Sequence, residues 1–274
     1  MRRKKVKVKE VACKYFCYLN FNVMAEQSGI IKLNGTMGGI TFYKSADGHL
    51  AREKGGISAK RIARDPAFQR TRENNVEFST AGKAGKLLRS SIQVLLQNSK
   101  DKRCVGRLTR ALLGVVKTDP VNERGQRLVQ DGNMQLLNDF EFNQNGKLGE
   151  TFFTPFESSL DRTTGELSLL IKAYQAAIRI AAPGGATHYR LSFGGAELDF
   201  ENKAFNFGID QTAILPYDTS LQAEQTVTVS LPADSVLPMI GVLGIDFFQE
   251  VNGQMYPLKN GAFNPLAIMV VDQV

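Results

Sequence analysis

The clearest pattern of apolar and polar positions lies between residues 66 and 98. Phe78, Ala81, Gly85, Leu88, Ile92 and Leu95 recur at spacings of three and four, the period that puts side chains on one face of a helix. Asp65 is a natural cap, since its short carboxylate can accept the first free amide hydrogens. Pro66 suits the first helical position, where a missing N–H costs nothing. The pattern predicts a helix from Pro66 to Asn98. Gly82 and Gly85 are unexpected inside it, because each costs about 1 kcal/mol relative to alanine. The motif AGKAGK, Ala81 to Lys86, puts small residues on one side and lysines on another. The small-residue side suits close packing by a second helix or a strand, and alternatively a contact between molecules.

Upstream, residues 29–54 alternate and carry a turn signal at Asp47-Gly48, which predicts a β-hairpin between TFYKS and HLARE. Downstream, residues 101–117 predict a shorter helix. Its apolar stripe is Val105, Leu108, Leu112 and Val115 or Val116, with Arg103, Arg107 and Arg110 opposite and Asp119-Pro120 as its stop. Residues 123–137 read as a third short helix or turn. After Asn138 the period changes to two. Strand-like runs (DFEFN, ETFFTPF, LSLLIKAY, AIRIAA, THYRLSF, AELDF, QTVTVSL, VLGIDFFQEV, QMYPL and LAIMVV) alternate with turn pairs at Asn145-Gly146, Thr164-Gly165, Pro183-Gly184, Gly194-Gly195, Asn252-Gly253 and Asn260-Gly261. The expected fold class is α+β: an N-terminal β-hairpin and helical segment, then a mostly antiparallel, Ig-like β-sandwich. The run around VLPMIGVLGIDFFQEV is too apolar for a strand with one wet face, which places it centrally. Expected units are a basic leader (1–23), a hairpin-plus-helix module (24–137) and an acidic β domain (138–274).

Charge sharpens that division. The net charge is +7, but residues 1–127 hold 27 Lys and Arg against 10 Asp and Glu, whereas residues 128–274 hold 7 against 17. Three arrangements fit. The halves can satisfy each other within one fold, copies can associate head to tail, or the basic half can bind a polyanion. The candidate polyanion or partner contact is Lys60, Arg61, Arg64, Arg70, Arg72, Lys83, Lys86 and Arg89. The candidate packing interface is Phe78, Ala81, Gly82 and Gly85. The leader lacks the uninterrupted apolar stretch and small-residue cleavage site of a signal peptide. Met24 is the expected start of translation; a weak export signal and a basic arm for anionic surfaces are the alternatives. The cytoplasm is favoured, with export left open by that leader.

Catalytic chemistry finds no anchor. Two histidines, His49 and His188, and three cysteines, two of them in the leader, give no metal-ligand spacing. Phosphate-loop, nucleophile-elbow and dinucleotide patterns are absent; Gly85-Lys86 is followed by Leu87 rather than Ser or Thr. Glu197 and Asp199 alternate on one strand, as solvated acids commonly do. No catalytic residue, metal or cofactor is expected, nor a small-molecule substrate.

The segment GIIKLNGTMGGITFYKSADGHLAREK, followed by DPAFQRTRENNVEFSTAGKAGKLLR, resembles the N-terminal part of a family of uncharacterised Bacteroidota proteins. Its layout is similar to that of a broader bacterial, prophage-associated group. Pro66, Gln69, Arg72 and Phe78 occupy the shared pattern, which covers about a third of the chain. The resemblance implies a bacterial or phage-derived structural module and brings no catalytic residues with it. The expected function is therefore a non-enzymatic structural or interaction protein that contacts itself or another protein. Polyanion binding, nucleic acid included, is the alternative, and a carbohydrate-binding or surface sandwich the third reading.

Overall fold

A computed structural model describes residues 24–53, 56–99 and 101–273. The leader, its two cysteines and Lys54 lie outside the described residues. The chain forms two compact units, Met1–Arg64 and Asp65–Val274. The expected boundary at 137/138 is corrected by this division: both main helices belong with the β domain, because their apolar faces are part of its core.

In the first unit, β1 (Met24–Glu26), β2 (Gly35–Met37), β3 (Ile40–Ser45) and β4 (Gly48–Glu53) form an antiparallel sheet in the order β1-β4-β3-β2. The predicted hairpin is β3–β4, with Ser45 opposite Gly48. Gly48 takes φ 121°, open to glycine and costly for other residues. Gln27 fastens the entering segment: its amide donates to the Leu50 carbonyl at 3.0 Å, and its side-chain oxygen accepts from the Leu33 N–H at 2.8 Å. The short helix α1 (Ala59–Arg64) closes the unit.

The second unit begins as expected. The Asp65 carboxylate accepts from the Ala67 N–H at 3.0 Å, and Pro66 opens a single 3-10 turn. Helix α2 (Gln69–Ser91) follows, then the one-turn α3 (Gln93–Leu96) and α4 (Cys104–Lys117). The predicted unbroken helix is interrupted at Ile92, where ψ rises to 21°. Residues 123–137 contribute only a 3-10 turn at Met134–Leu137. On α4, Cys104 takes the buried place expected of Val105, which stays 49% exposed.

The β-rich remainder holds β5 (Phe156–Asp161), β6 (Glu166–Ile171), β7 (Tyr174–Gln175), β8 (His188–Asp199), β9 (Ala204–Gln211), β10 (Leu215–Pro216), β11 (Leu221–Gln222), β12 (Gln225–Ser230), β13 (Met239–Val251), β14 (Gln254–Pro257) and β15 (Leu266–Asp272). Strands β8 and β13 are the centre of a six-stranded sheet, paired antiparallel from Met239 opposite Glu197 to Phe248 opposite His188. Strands β9 and β10 extend the other side of β8, and β14 and β15 the other side of β13. A three-stranded sheet, β12-β6-β5, covers one face. Helices α2 and α4 cover the other.

Alternation along the central strands makes this three-layer arrangement. Tyr189, Leu191 and Phe193 of β8, with Leu243, Ile245 and Phe247 of β13, join Leu167, Leu169 and Val229 in one core. The alternate residues Ala196, Leu198, Ile240 and Val242 join Leu88, Leu108 and Leu112 in the other. A strand buried on both faces must be apolar throughout, which is why the β13 run lacks the usual alternation. The fold is thus α+β with a mostly antiparallel, sandwich-like sheet arrangement.

Several runs differ from the sequence expectation. DFEFN forms only an isolated bridge, Glu141 to Ala267. Parts of ETFFTPF and AIRIAA form helical turns, Leu148–Thr151 and Ala176–Arg179. Gly194-Gly195 is strand interior rather than a turn, so THYRLSF and AELDF join into the single strand β8. The reason is space. A Cβ on Gly194 would sit 2.7 Å from Leu95 Cδ1, and one on Gly195 would sit 3.0 Å from Leu167 Cδ2.

The two helix glycines separate in the same way. A methyl at Gly85 meets Leu112 Cδ1 at 3.2 Å, so Gly85 sets the approach of α4. A methyl at Gly82 meets nothing within 4 Å. Gly82→Ala should therefore raise stability by about 0.5–1 kcal/mol through helix propensity alone. Gly85→Ala should gain less or lose, because Leu112 must shift. Urea unfolding of both variants checks this; equal gains would show that Gly85 is not a packing position.

Candidate functional site

The eight cationic candidates divide between the units. Lys60, Arg61 and Arg64 lie on α1 and are exposed. Arg70, Arg72, Lys83, Lys86 and Arg89 lie on α2. Of these five, three are engaged locally. Arg70 pairs with Glu73 at 3.0 Å, Arg72 donates to the Asp65 carbonyl at 2.9 Å, and Arg89 donates to the Gly85 carbonyl at 3.1 Å.

Lys83 and Lys86 are three apart and therefore neighbours on the helix surface. Both line a groove of about 450 Å³ beside α2. Across it stand Phe200, Lys203 and Phe205, from the turn and first residues joining β8 to β9, while Val129 and Leu87 contribute apolar surface. Three lysines and no carboxylate line this groove. Lys203 was not among the sequence candidates. It lies well over a hundred residues downstream, in the half with an acid excess, and holds φ 58° at the turn.

The candidate packing interface is divided too. Ala81 and Gly85 are fully engaged in the core against α4. Gly82 is half-buried. Phe78, expected on the buried stripe, is 59% exposed, beside Val76 at 50%. The buried place at that level belongs to Glu77, which lies four residues before Ala81 and seven before Ala84 on one line of the helix. Its carboxylate accepts from the Gly125 N–H at 3.0 Å and stands 3.9 Å from the Arg127 guanidinium. A loop backbone docked on α2 needs an acceptor there more than it needs a ring.

The loop that supplies Gly125 is organised by Asp119. Its buried carboxylate accepts N–H groups of Val121 (2.8 Å), Asn122 (3.1 Å) and Leu128 (2.9 Å), and the Asn122 amide at 2.9 Å. Burial alone would push its pKa up. The Leu128 N–H and the Asn122 and Val121 donors outweigh that and bring it to about 2. Glu141 behaves oppositely. Burial dominates and raises it to about 7 against the Leu148 and Gly149 N–H groups, and its Oε2 finds no hydrogen-bond partner.

Ion pairs settle how the charge asymmetry is used locally. Arg70, Arg107, Arg124 and Arg127 pair with Glu73, Asp101 and Glu77, all within residues 1–127. Lys147, Arg162, Lys172 and Arg190 pair with carboxylates that all follow residue 128. Among the described residues, each of these pairs stays within its own half. Among those residues, too, no group of three or more His, Cys, Asp or Glu could hold a metal ion. No helix there is long and apolar enough to cross a membrane.

No family model and no curated protein matches the chain. One solved structure concerns pH-induced modulation of Streptococcus parasanguinis adhesion by Fap1 fimbriae. It aligns with 43% of this chain and 82% of its own at 10% identity and a TM-score of 0.22. A likeness at that score carries no argument about this protein.

The two carboxylates predict separate pH windows. Glu141 has a raised folded pKa, so its contribution is present below 4.5 and lost as pH rises through about 7. Asp119 has a depressed one, so its contribution is present above 3.8 and lost as pH falls through about 2. Urea midpoints measured from pH 5 to pH 8 should fall in the native chain and flatten in Glu141→Gln. An unchanged slope in the variant would assign the effect to another group. Asp119→Ala should cost about 1.5–3 kcal/mol at pH 7, from the lost charged acceptor.

Proposed function

We propose that this chain is a non-enzymatic structural or interaction protein, with the N-terminal sheet and, separately, the exposed flank of α2 as contact surfaces and a second copy as its first partner. The observation that carries this reading is the first unit's sheet. Not one of its described residues is buried, while Ile30 is fully exposed, Ile31 80%, Met37 69% and Ile40 46%. A sheet of this size gains independent stability by burying one face; here Phe42, Tyr43 and Leu50 are only half-buried, Met37 and Ile40 are exposed, and Ile30 and Ile31 are exposed on the connection between β1 and β2. Strands β1 and β2 also present outer edges with no strand partner among the described residues. Such edges accept a neighbour's strand or must be protected. The charge pattern supports the same reading. The ion pairs described above each lie within one half, which leaves the surplus charge of the two halves as a basis for pairing between molecules.

Polyanion binding is the second reading, and the specific observation for it is the groove with three lysines and no carboxylate. Salt separates the two, since binding to phosphates weakens steeply with ionic strength and a packed apolar contact does not. Light scattering on the full chain should give a mass above 30.2 kDa at both about 50 mM and about 500 mM salt. Ile31→Asp with Met37→Asp should return it to one chain. A monomer that gains mass only with short duplex DNA, and only at low salt, would transfer the function to the second reading. A monomer under all conditions would remove the self-assembly reading.

A further inference from the structure

The groove beside α2 lies against an open strand edge. Strand β9 pairs with β8 and with no strand on its other side among the described residues. Its alternate residues divide between the two faces of the sheet. Gly208 faces the three-stranded sheet, since a Cβ there would lie 2.6 Å from Val229 Cγ1 and 3.1 Å from the Ser230 carbonyl. Phe207 packs with the helix-side core, and Phe205, 42% exposed, forms a wall of the groove. The Gly208 face of β9 thus packs on β12, and the stretch from Ala204 to Phe207 is the part of its edge beside the groove. At about 3.3 Å per residue, that leaves room for a segment of about four residues.

We propose that this edge and groove together receive an extended segment of a partner polypeptide, one that carries an acidic and an apolar side chain two residues apart. The inference rests on the interaction reading above and names its partner's chemistry. Backbone pairing with β9 would supply the hydrogen bonds that an edge strand lacks. In an added strand, every second side chain points to the same face. Those on the helix side meet two environments: the apolar surface of Leu87 and Phe205, and the ammonium groups of Lys83, Lys86 and Lys203. With no carboxylate in the groove lining, the lysines favour an acidic side chain and disfavour a basic one. The occupant is a polypeptide rather than a nucleic acid because the free edge offers peptide donors and acceptors in strand register, which a phosphate backbone does not match.

The test uses the full chain and an array of random eight-residue peptides, with selected peptides titrated by fluorescence anisotropy. The expected result is enrichment of peptides with Asp or Glu two residues from an apolar side chain. Their affinity should drop about tenfold in Lys83→Glu/Lys86→Glu, whose fold is checked by circular dichroism. A proline at a paired position of the peptide should cause a loss of similar size, because it removes an N–H from the added strand. Three results would overturn the proposal: no enrichment, enrichment without acidic residues, or equal binding by the charge-reversed variant. Dodecanoate is titrated in parallel. Binding of dodecanoate without any peptide would make the groove a site for small anionic amphiphiles and would equally overturn it. The Ile31→Asp/Met37→Asp variant should keep its peptide affinity. Loss of self-assembly with peptide binding intact, or the reverse, therefore shows which of the two readings has failed.

Discussion

Leu167 rests on two facing glycines, and the second unit is built around that contact. Gly195 of β8 and Gly241 of β13 are opposite each other in register, and a Cβ on either would sit 3.0 or 3.1 Å from Leu167 Cδ2. The side chain of one sheet therefore packs directly onto the backbone of the other. Both central strands are closed on that face by β6 and on the opposite face by the helices. With side chains fixed at a period of two, a shift of one residue would turn each strand's buried set to the wrong layer. Leu88, Leu108 and Leu112 on one side, and Leu169 and Val229 on the other, are fitted to that single register.

This constraint explains which elements were legible in the sequence. The β13 run was recognisable as central because burial on both faces removes the need for polar residues. The Asp65–Pro66 start of the long helix was equally legible, since capping depends on neighbouring residues alone. Gly194-Gly195 misled because a glycine pair is a turn signal locally, while its cause here is the approach of Leu95 from one layer and Leu167 from the other. Strand β9 was missed altogether. Its sequence, AFNFGIDQ, mixes strand formers with Asn, Gly and Asp, and its Gly208 exists to admit Val229 from a different sheet. Contacts set by distant residues leave no periodic trace.

The candidate site was legible to the same degree and for the same reason. Lys83 and Lys86 stand out because three-residue spacing places them together on a helix. Lys203 could not be joined to them without the fold. Phe78 was assigned to the core because an aromatic residue at helical spacing usually belongs there. The line through Glu77, Ala81, Ala84 and Leu88 is buried instead, and its first position is taken by an acid. The loop from Asp119 to Leu128 makes that choice reasonable. Asp119 gathers the loop's amides, and Glu77 then receives the Gly125 N–H and faces the Arg127 guanidinium. A ring at that place would have left the half-buried Gly125 N–H without this acceptor.

The division of charge follows from how these acids are used. In the basic half, Glu73, Glu77, Asp101 and Asp119 are committed to nearby arginines and amides, so little negative charge is left to offset the lysines of α2. In the acidic half, the cations Arg162, Lys172 and Arg190 are likewise committed to their own neighbours, Asp272, Glu157 and Glu224, and Asp246. These ion pairs stay within one half, while hydrogen bonds cross between the halves: Asp246 also accepts the Asn98 amide, and Arg107 donates to the Glu141 and Phe142 carbonyls. At physiological salt a surface charge acts over about 8 Å. A surplus that is not cancelled within that distance in one molecule is available to whatever the molecule meets. Such a surface suppresses contacts between like-charged patches and orients unlike ones, giving specificity and association rate more than affinity. On the proposed interaction reading the affinity has to come from apolar surface and unpaired backbone, for which the exposed Ile31 and Met37 of the first unit and Phe205 at the edge strand β9 are the candidates.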